Sequence, residues 1–197
     1  MSRWPALVLW VALVALGCGI GPPNRPDLGA WILDLCTGRW GEHPPWVVAQ
    51  FWWMGLFPAL VALLIQPDWR ARPPAWPFLL AAVVFGCYGL LPWFFLRSGP
   101  RGAPVAPLGG PVLPAVLAAV GVVFLAWAAI RGDLLDLPRM FLTEGFVWSM
   151  SFDFLAFWIL SAAEARARTR GTPWTWALLP VVGLGVFLAL EARRSRA

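Results

Sequence analysis

Six apolar runs, at about 4–20, 46–66, 75–96, 111–130, 145–163 and 173–190, take up most of this 197-residue chain. Each is close to the roughly 20 residues that a helix needs to cross a hydrocarbon layer about 30 Å thick. Backbone in hydrocarbon has to satisfy its own N–H and C=O groups, so runs of this kind are predicted to be helices. The expected fold is all-α: a polytopic transmembrane helix bundle of about six spans, one integral membrane domain over 1–197. Five spans remain if the first run is a cleaved signal peptide. The stretch "GCGIGPPNRP" lacks a good small-x-small cleavage site, so a retained helix is expected. Composition agrees, since 13% of the residues are charged, against about 25% in a soluble domain.

Four entries to the runs, "RWPALV", "HPPWVV", "PPAWPF" and "TPWTW", place proline beside tryptophan. Proline loses nothing in a first helical turn, where its missing N–H would be unpaired anyway, and tryptophan favours the headgroup layer. In the first loop, "DLGAWILDLCTG" offers Asp27 as an N-cap, Leu28, Trp31, Ile32 and Leu35 on one face, and Gly38 as a stop, so a short interfacial helix is predicted. The third loop, "SGPRGAPVAPLGGP", reads as an irregular connector. The fourth, "RGDLLDLPRMFLTEG", is either a short surface helix or a backward extension of the fifth run.

The net charge is +5, carried by fifteen arginines scattered over the loops without forming a patch. That pattern suits phospholipid headgroups and excludes nucleic acid as the expected partner. With six spans the arginines divide eight against seven between the two sides, which leaves orientation open. The three cysteines have no metal or redox spacing, and His43 has no companion histidine; neither a metal nor a cofactor is expected.

Asp153, in "FVWSMSFDFLAFW", is the acid nearest the middle of an apolar run. A carboxylate there costs at least about 2.5–3.5 kcal/mol unless protonated, paired or facing water. Helical spacing places Ser149 one turn before it, Tyr88 lies at a depth comparable with Asp153, and Gln50 in the second run, Ser161 near the end of the fifth and Gln66 at a helix end are the few other polar groups within the runs. An intramembrane cluster of Asp153, Ser149, Tyr88 and Gln50 is therefore expected, with a Tyr88–Asp153 hydrogen bond allowed. No G-x-S-x-G, H-E-x-x-H, Walker or D-x-x-x-D motif is present. Asp153 is the one candidate for catalysis.

The segments "AWPFLLAAVVFGCYGLLPWFFLR" and "FVWSMSFDF", with "RPD", "TGRW" and "MGLFPAL", resemble a family of uncharacterised polytopic membrane proteins, of roughly 200 residues, from cyanobacteria and plastids. The resemblance implies a photosynthetic setting, in a plasma or thylakoid membrane, and no particular reaction. The expected role is a non-enzymatic accessory or assembly component, with the lipid bilayer and other membrane proteins as partners. The alternatives are a small proton-coupled transporter and a membrane-embedded enzyme acting on a lipophilic substrate, each using Asp153.

Overall fold

The computed structural model describes residues 3–69, 71–98 and 110–195, with nothing to be said of the side chain of Cys18. Among these residues the regular structure is entirely helical: α1 (Arg3–Val14), prolonged by a π-turn at Ala15–Gly19, α2 (Leu28–Thr37), α3 (Pro45–Ile65), α4 (Trp76–Phe85), α5 (Cys87–Leu96), α6 (Val112–Arg131), α7 (Asp136–Thr143), α8 (Gly145–Arg168) and α9 (Val182–Arg194). Three helical stretches, Pro45–Asp68, Val112–Arg131 and Gly145–Arg168, are long and apolar enough to cross a membrane. The outward side of α6 carries Val123 and Ile130, 65% and 80% exposed, a surface suited to lipid. The third loop of the sequence reading lies mostly outside the described residues.

Two of the six expected spans are not single helices. The run 75–96 folds back on itself: Gly86 adopts φ +58° and ψ −142°, a conformation that glycine alone reaches easily, and α4 and α5 lie side by side. A Cβ on Gly89 would meet the backbone of Ala81 at 2.8 Å, although in one continuous helix these residues would be about 12 Å apart. The base of the hairpin is closed where the Ser98 N–H donates to the Arg72 carbonyl at 2.8 Å and the Trp93 indole donates to the Pro73 carbonyl at 2.9 Å. Each arm has ten residues, about 15 Å, which is half of a hydrocarbon layer.

The run 173–190 also turns back. A 3-10 segment, Trp174–Leu178, leads down to Val181, whose φ of 59° and ψ of −67° make a γ-turn closed by the Val182 N–H on the Pro180 carbonyl at 2.6 Å. Proline at 180 cannot continue the 3-10 pattern by donating, and α9 then returns with Gly183 packed against the Trp176 carbonyl. The backbone N–H groups of Arg170 and Thr172 and the Thr169 hydroxyl donate to Glu191, so both arms end together.

The other expectations for the loops are resolved locally. The first-loop helix forms, with Trp31 and Leu35 buried and Gly38 left-handed at its end. Asp27 precedes it without capping it, because Arg25 grips the carboxylate in two bonds of 2.6 and 3.0 Å. That hydrogen bonding holds the Asp27 carboxyl below the usual range. The fourth loop makes a separate helix, α7, whose Phe141 stacks on Trp148 at 4.6 Å.

At one end of the bundle four buried charges meet. Arg97 donates to Asp68 at 3.0 Å and faces Glu164 at 3.4 Å; Arg168 donates to Glu164 at 2.9 Å and also to Asp68. Asp68 follows α3, Arg97 closes the hairpin and the other two belong to α8, so the network ties three elements together. Arg97 also lies over the rings of Trp93 and Phe94, 4.8 Å from each. Sequence reading assigned these arginines to headgroups. Substituting Arg168→Met would leave two buried carboxylates to one guanidinium, with an expected cost of about 3–5 kcal/mol. Arg168→Lys should fall between, since a point charge cannot copy the fork. Thermal unfolding in mild detergent reads both, and an unchanged Arg168→Met midpoint would contradict the role given to the network.

Candidate functional site

The tip of the α4–α5 hairpin meets α8, where the first N–H groups of α5 have no intrahelical partner. Asp153, buried on α8, supplies the acceptor: its Oδ1 takes the Cys87 N–H at 2.7 Å, and the Tyr88 N–H also serves the carboxylate. The acid in the apolar run is thus an N-cap delivered from another helix. A helix N-terminus favours a negative partner, so dipole and hydrogen bond act in the same sense. Gly86 makes the approach possible, because a Cβ there would coincide with Asp153 Oδ2.

Ser149 and Tyr88 stand beside Asp153 but spend their hydroxyls on α1. The widened π-turn at the end of α1 directs carbonyls outward; Ser149 donates to Gly17 at 2.7 Å and the Trp148 indole to Leu16 at 2.6 Å. The Tyr88 hydroxyl donates to the Leu13 carbonyl at 3.3 Å, and the Trp10 indole donates to the Tyr88 carbonyl at 3.1 Å. Tyr88 therefore reaches Asp153 through its backbone, not through the side-chain bond that spacing allowed.

Gln50 lies apart from this cluster. Its amide donates to Ser151 at 2.9 Å, and both residues line a separate crevice of about 370 Å³. Ser151 and Asp153 are two residues apart on α8 and so face different ways. Membrane depth placed Gln50 near Asp153; the direction of the side chain separates them.

Asp153, Ser149 and Tyr88 border an open cleft of about 760 Å³ between α3, the hairpin tip and α8. Its walls are Phe51, Trp52, Val84, Phe85, Phe146 and Met150, and Gly55, Gly86 and Gly89 also border it. Val84 and Phe85 are 75% and 64% exposed, so the cleft opens through an apolar rim. Asp153 is the one acidic or basic side chain among its described lining residues. The volume is in the range of small-molecule sites. His43 accepts from the Trp31 indole, and no group of three or more His, Cys, Asp or Glu that could hold a metal occurs among the described residues.

No protein-family model, curated protein or solved structure matches this chain. The resemblance drawn from the quoted motifs consequently gains no support from these comparisons. Sequence reading missed the hairpin turn. A glycine near the middle of the apolar run 75–96 was the available sign of a turn at Gly86.

The cap predicts a graded series. Asp153→Asn keeps an acceptor for the Cys87 N–H and should cost no more than about 1.5 kcal/mol. Asp153→Leu leaves buried donors unpaired, at about 1–3 kcal/mol each. Gly86→Ala adds a strained φ, worth about 1–3 kcal/mol, to the overlap with the carboxylate. Thermal unfolding of the three variants in detergent should rank Asn mildest, and a fully stable Asp153→Leu would remove the carboxylate from its role as cap.

Proposed function

We propose that the protein is a multi-pass integral membrane protein that holds a lipophilic molecule in the cleft beside Asp153, as a non-enzymatic accessory component of its membrane. The cleft itself carries the reading: an apolar, side-opening space of about 760 Å³ with a single carboxylate at its inner edge. General acid–base chemistry or proton-coupled transport calls for a second titrating partner, and Asp153 is the one acidic or basic side chain among the described lining residues. The carboxylate is moreover engaged in holding the hairpin.

In this reading α1, α3, α6 and α8 cross the bilayer, while α4–α5 and residues 173–194 enter and leave from the same side. Re-entrant backbone is tolerated at membrane depth where it is buried in protein or lines a cavity, as both hairpins are here. The fold-back changes the arginine balance. Among the described residues, Arg3, Arg72, Arg97, Arg166, Arg168, Arg170, Arg193 and Arg194 belong to the hairpin-base end, and Arg25, Arg39, Arg131 and Arg139 to the other. Eight against four supports a cytoplasmic hairpin-base end, with α1 beginning and α9 ending there.

Two measurements test these statements. Gly55→Trp should add bulk at the cleft, since Gly55 lines it and a Cβ at position 55 meets nothing within 4 Å. Purified wild-type protein should carry a lipid-soluble molecule in about equimolar amount, detected by extraction and mass spectrometry, and Gly55→Trp should lose it at least about tenfold at unchanged stability. Equal, bulk-like lipid in both proteins would overturn the binding role. In a chain with its three cysteines replaced, Ser98→Cys and Ser195→Cys should be labelled from the same side. Six simple crossings would put them on opposite sides.

A further inference from the structure

The two ends of the bundle present different charge to their surroundings. At the hairpin-base end the described acids are Asp68, Glu164 and Glu191, and all three are buried. Arg97 and Arg168 take the first two, while Glu191 accepts from the Thr169 hydroxyl and from the backbone N–H groups of Arg170 and Thr172. Arg3, Arg72, Arg166, Arg170, Arg193 and Arg194 are exposed, so the described surface of this end carries arginine and no acid. At the other end Arg25, Arg39, Arg131 and Arg139 share the surface with six acids, none of them buried, and three of these arginines lie within 3.7 Å of one.

Three of the exposed arginines border one loop. Arg166, in the last turn of α8, lies over the ring of Trp174 at 5.4 Å, and Arg170 follows the end of that helix. Arg194, in the last turn of α9, brings a guanidinium nitrogen to 2.8 Å from where a Cβ on Gly171 would be. Trp174 suits the headgroup layer. From there the 3-10 segment leads inward past Trp176, Leu178 and Leu179, 42%, 44% and 55% exposed.

From this arrangement we propose that the loop 169–174, with Arg166, Arg170 and Arg194, holds the phosphate of an anionic phospholipid whose acyl chains lie along Trp176, Leu178 and Leu179. Planar guanidinium forks match phosphate oxygens in pairs of hydrogen bonds. A zwitterionic lipid brings its own ammonium, which offsets the attraction to a surface without acids. A soluble anion meets the same arginines but has no use for the apolar strip beside them. The inference rests on the multi-pass reading and not on the cleft. Failure of that reading shows separately, as labelling of Ser98→Cys and Ser195→Cys from opposite sides.

The test uses the full chain captured in a neutral detergent, with radiolabelled phosphatidylglycerol and phosphatidylcholine of equal chain length. At low salt the wild type should bind phosphatidylglycerol at least about tenfold more tightly, since each arginine near an anionic surface is worth about fivefold. Arg166→Gln/Arg170→Gln/Arg194→Gln should bring the preference to within about threefold, and the same three changed to lysine, which keeps the charge and loses the fork, should fall between. Arg39→Gln/Arg131→Gln/Arg139→Gln, at the other end, should leave it unchanged. Thermal unfolding checks the fold of each variant. The wild type supplies a second measurement that needs no substitution: between about 50 mM and about 500 mM salt its preference should fall to within about threefold, because exposed charges are screened.

Equal binding of the two lipids by the wild type, or a preference that survives either the glutamine triple at the loop or high salt, would overturn the site. A preference lost equally in the triple at the other end would reduce it to net charge. Inorganic phosphate at matched ionic strength should leave phosphatidylglycerol bound; complete displacement would replace the lipid with a free anion.

Discussion

Everything near the middle of this bundle depends on one contact, the Asp153 carboxylate on the first N–H groups of α5. A hairpin turn exposes a helix N-terminus, and each buried donor left unpaired there costs free energy. A capping serine or aspartate in the turn itself would be the local remedy. Here the turn is Phe85–Gly86–Cys87, with no side-chain acceptor, and the acceptor comes from a residue 66 positions later. The hairpin tip therefore has a formed helix start only when α8 is in place. In the same way Gly86 is required twice, for its φ of +58° and for the space that Oδ2 occupies.

The base of the hairpin is held by different physics. Asp68, Arg97, Glu164 and Arg168 bring two acids and two bases together, so the charges of these four balance one another. Such a set stabilises little relative to an apolar core, but it is costly to break at any one member. Its contribution is specificity of arrangement: the end of α3, the end of α5 and the end of α8 satisfy one another only at one mutual position. A backbone cap at the tip and an ionic clasp at the base fix both ends of a hairpin whose long sides are otherwise uniformly apolar.

The helical class and the presence of a short helix in the first loop were legible in the sequence, because periodicity determines them. The hairpins were not, since hydropathy records how apolar a segment is and not whether it reverses. A 22-residue run with a glycine at its centre has the same hydropathy as a span. The Pro-Trp entries before 76 and 174 gave no help either, because they mark where the chain enters an apolar layer and say nothing about where it leaves. Gln50 was misplaced for a related reason: depth fixes a position along a helix axis, while facing Ser151 and not Asp153 is a matter of rotation about it. Arg97 and Arg168, at the ends of apolar runs, look like headgroup contacts until the fold-back brings Asp68 and Glu164 within reach.

The contact on α5 constrains what the Asp153 carboxyl can do. A catalytic carboxylate has to change its protonation state or its partners during turnover, and each such change at Asp153 would weaken the cap on α5. Glycine at the tip admits the carboxyl to the start of α5, and Gly86 and Asp153 both border the apolar cleft, so the contact that holds the hairpin in the bundle also forms part of the cleft wall.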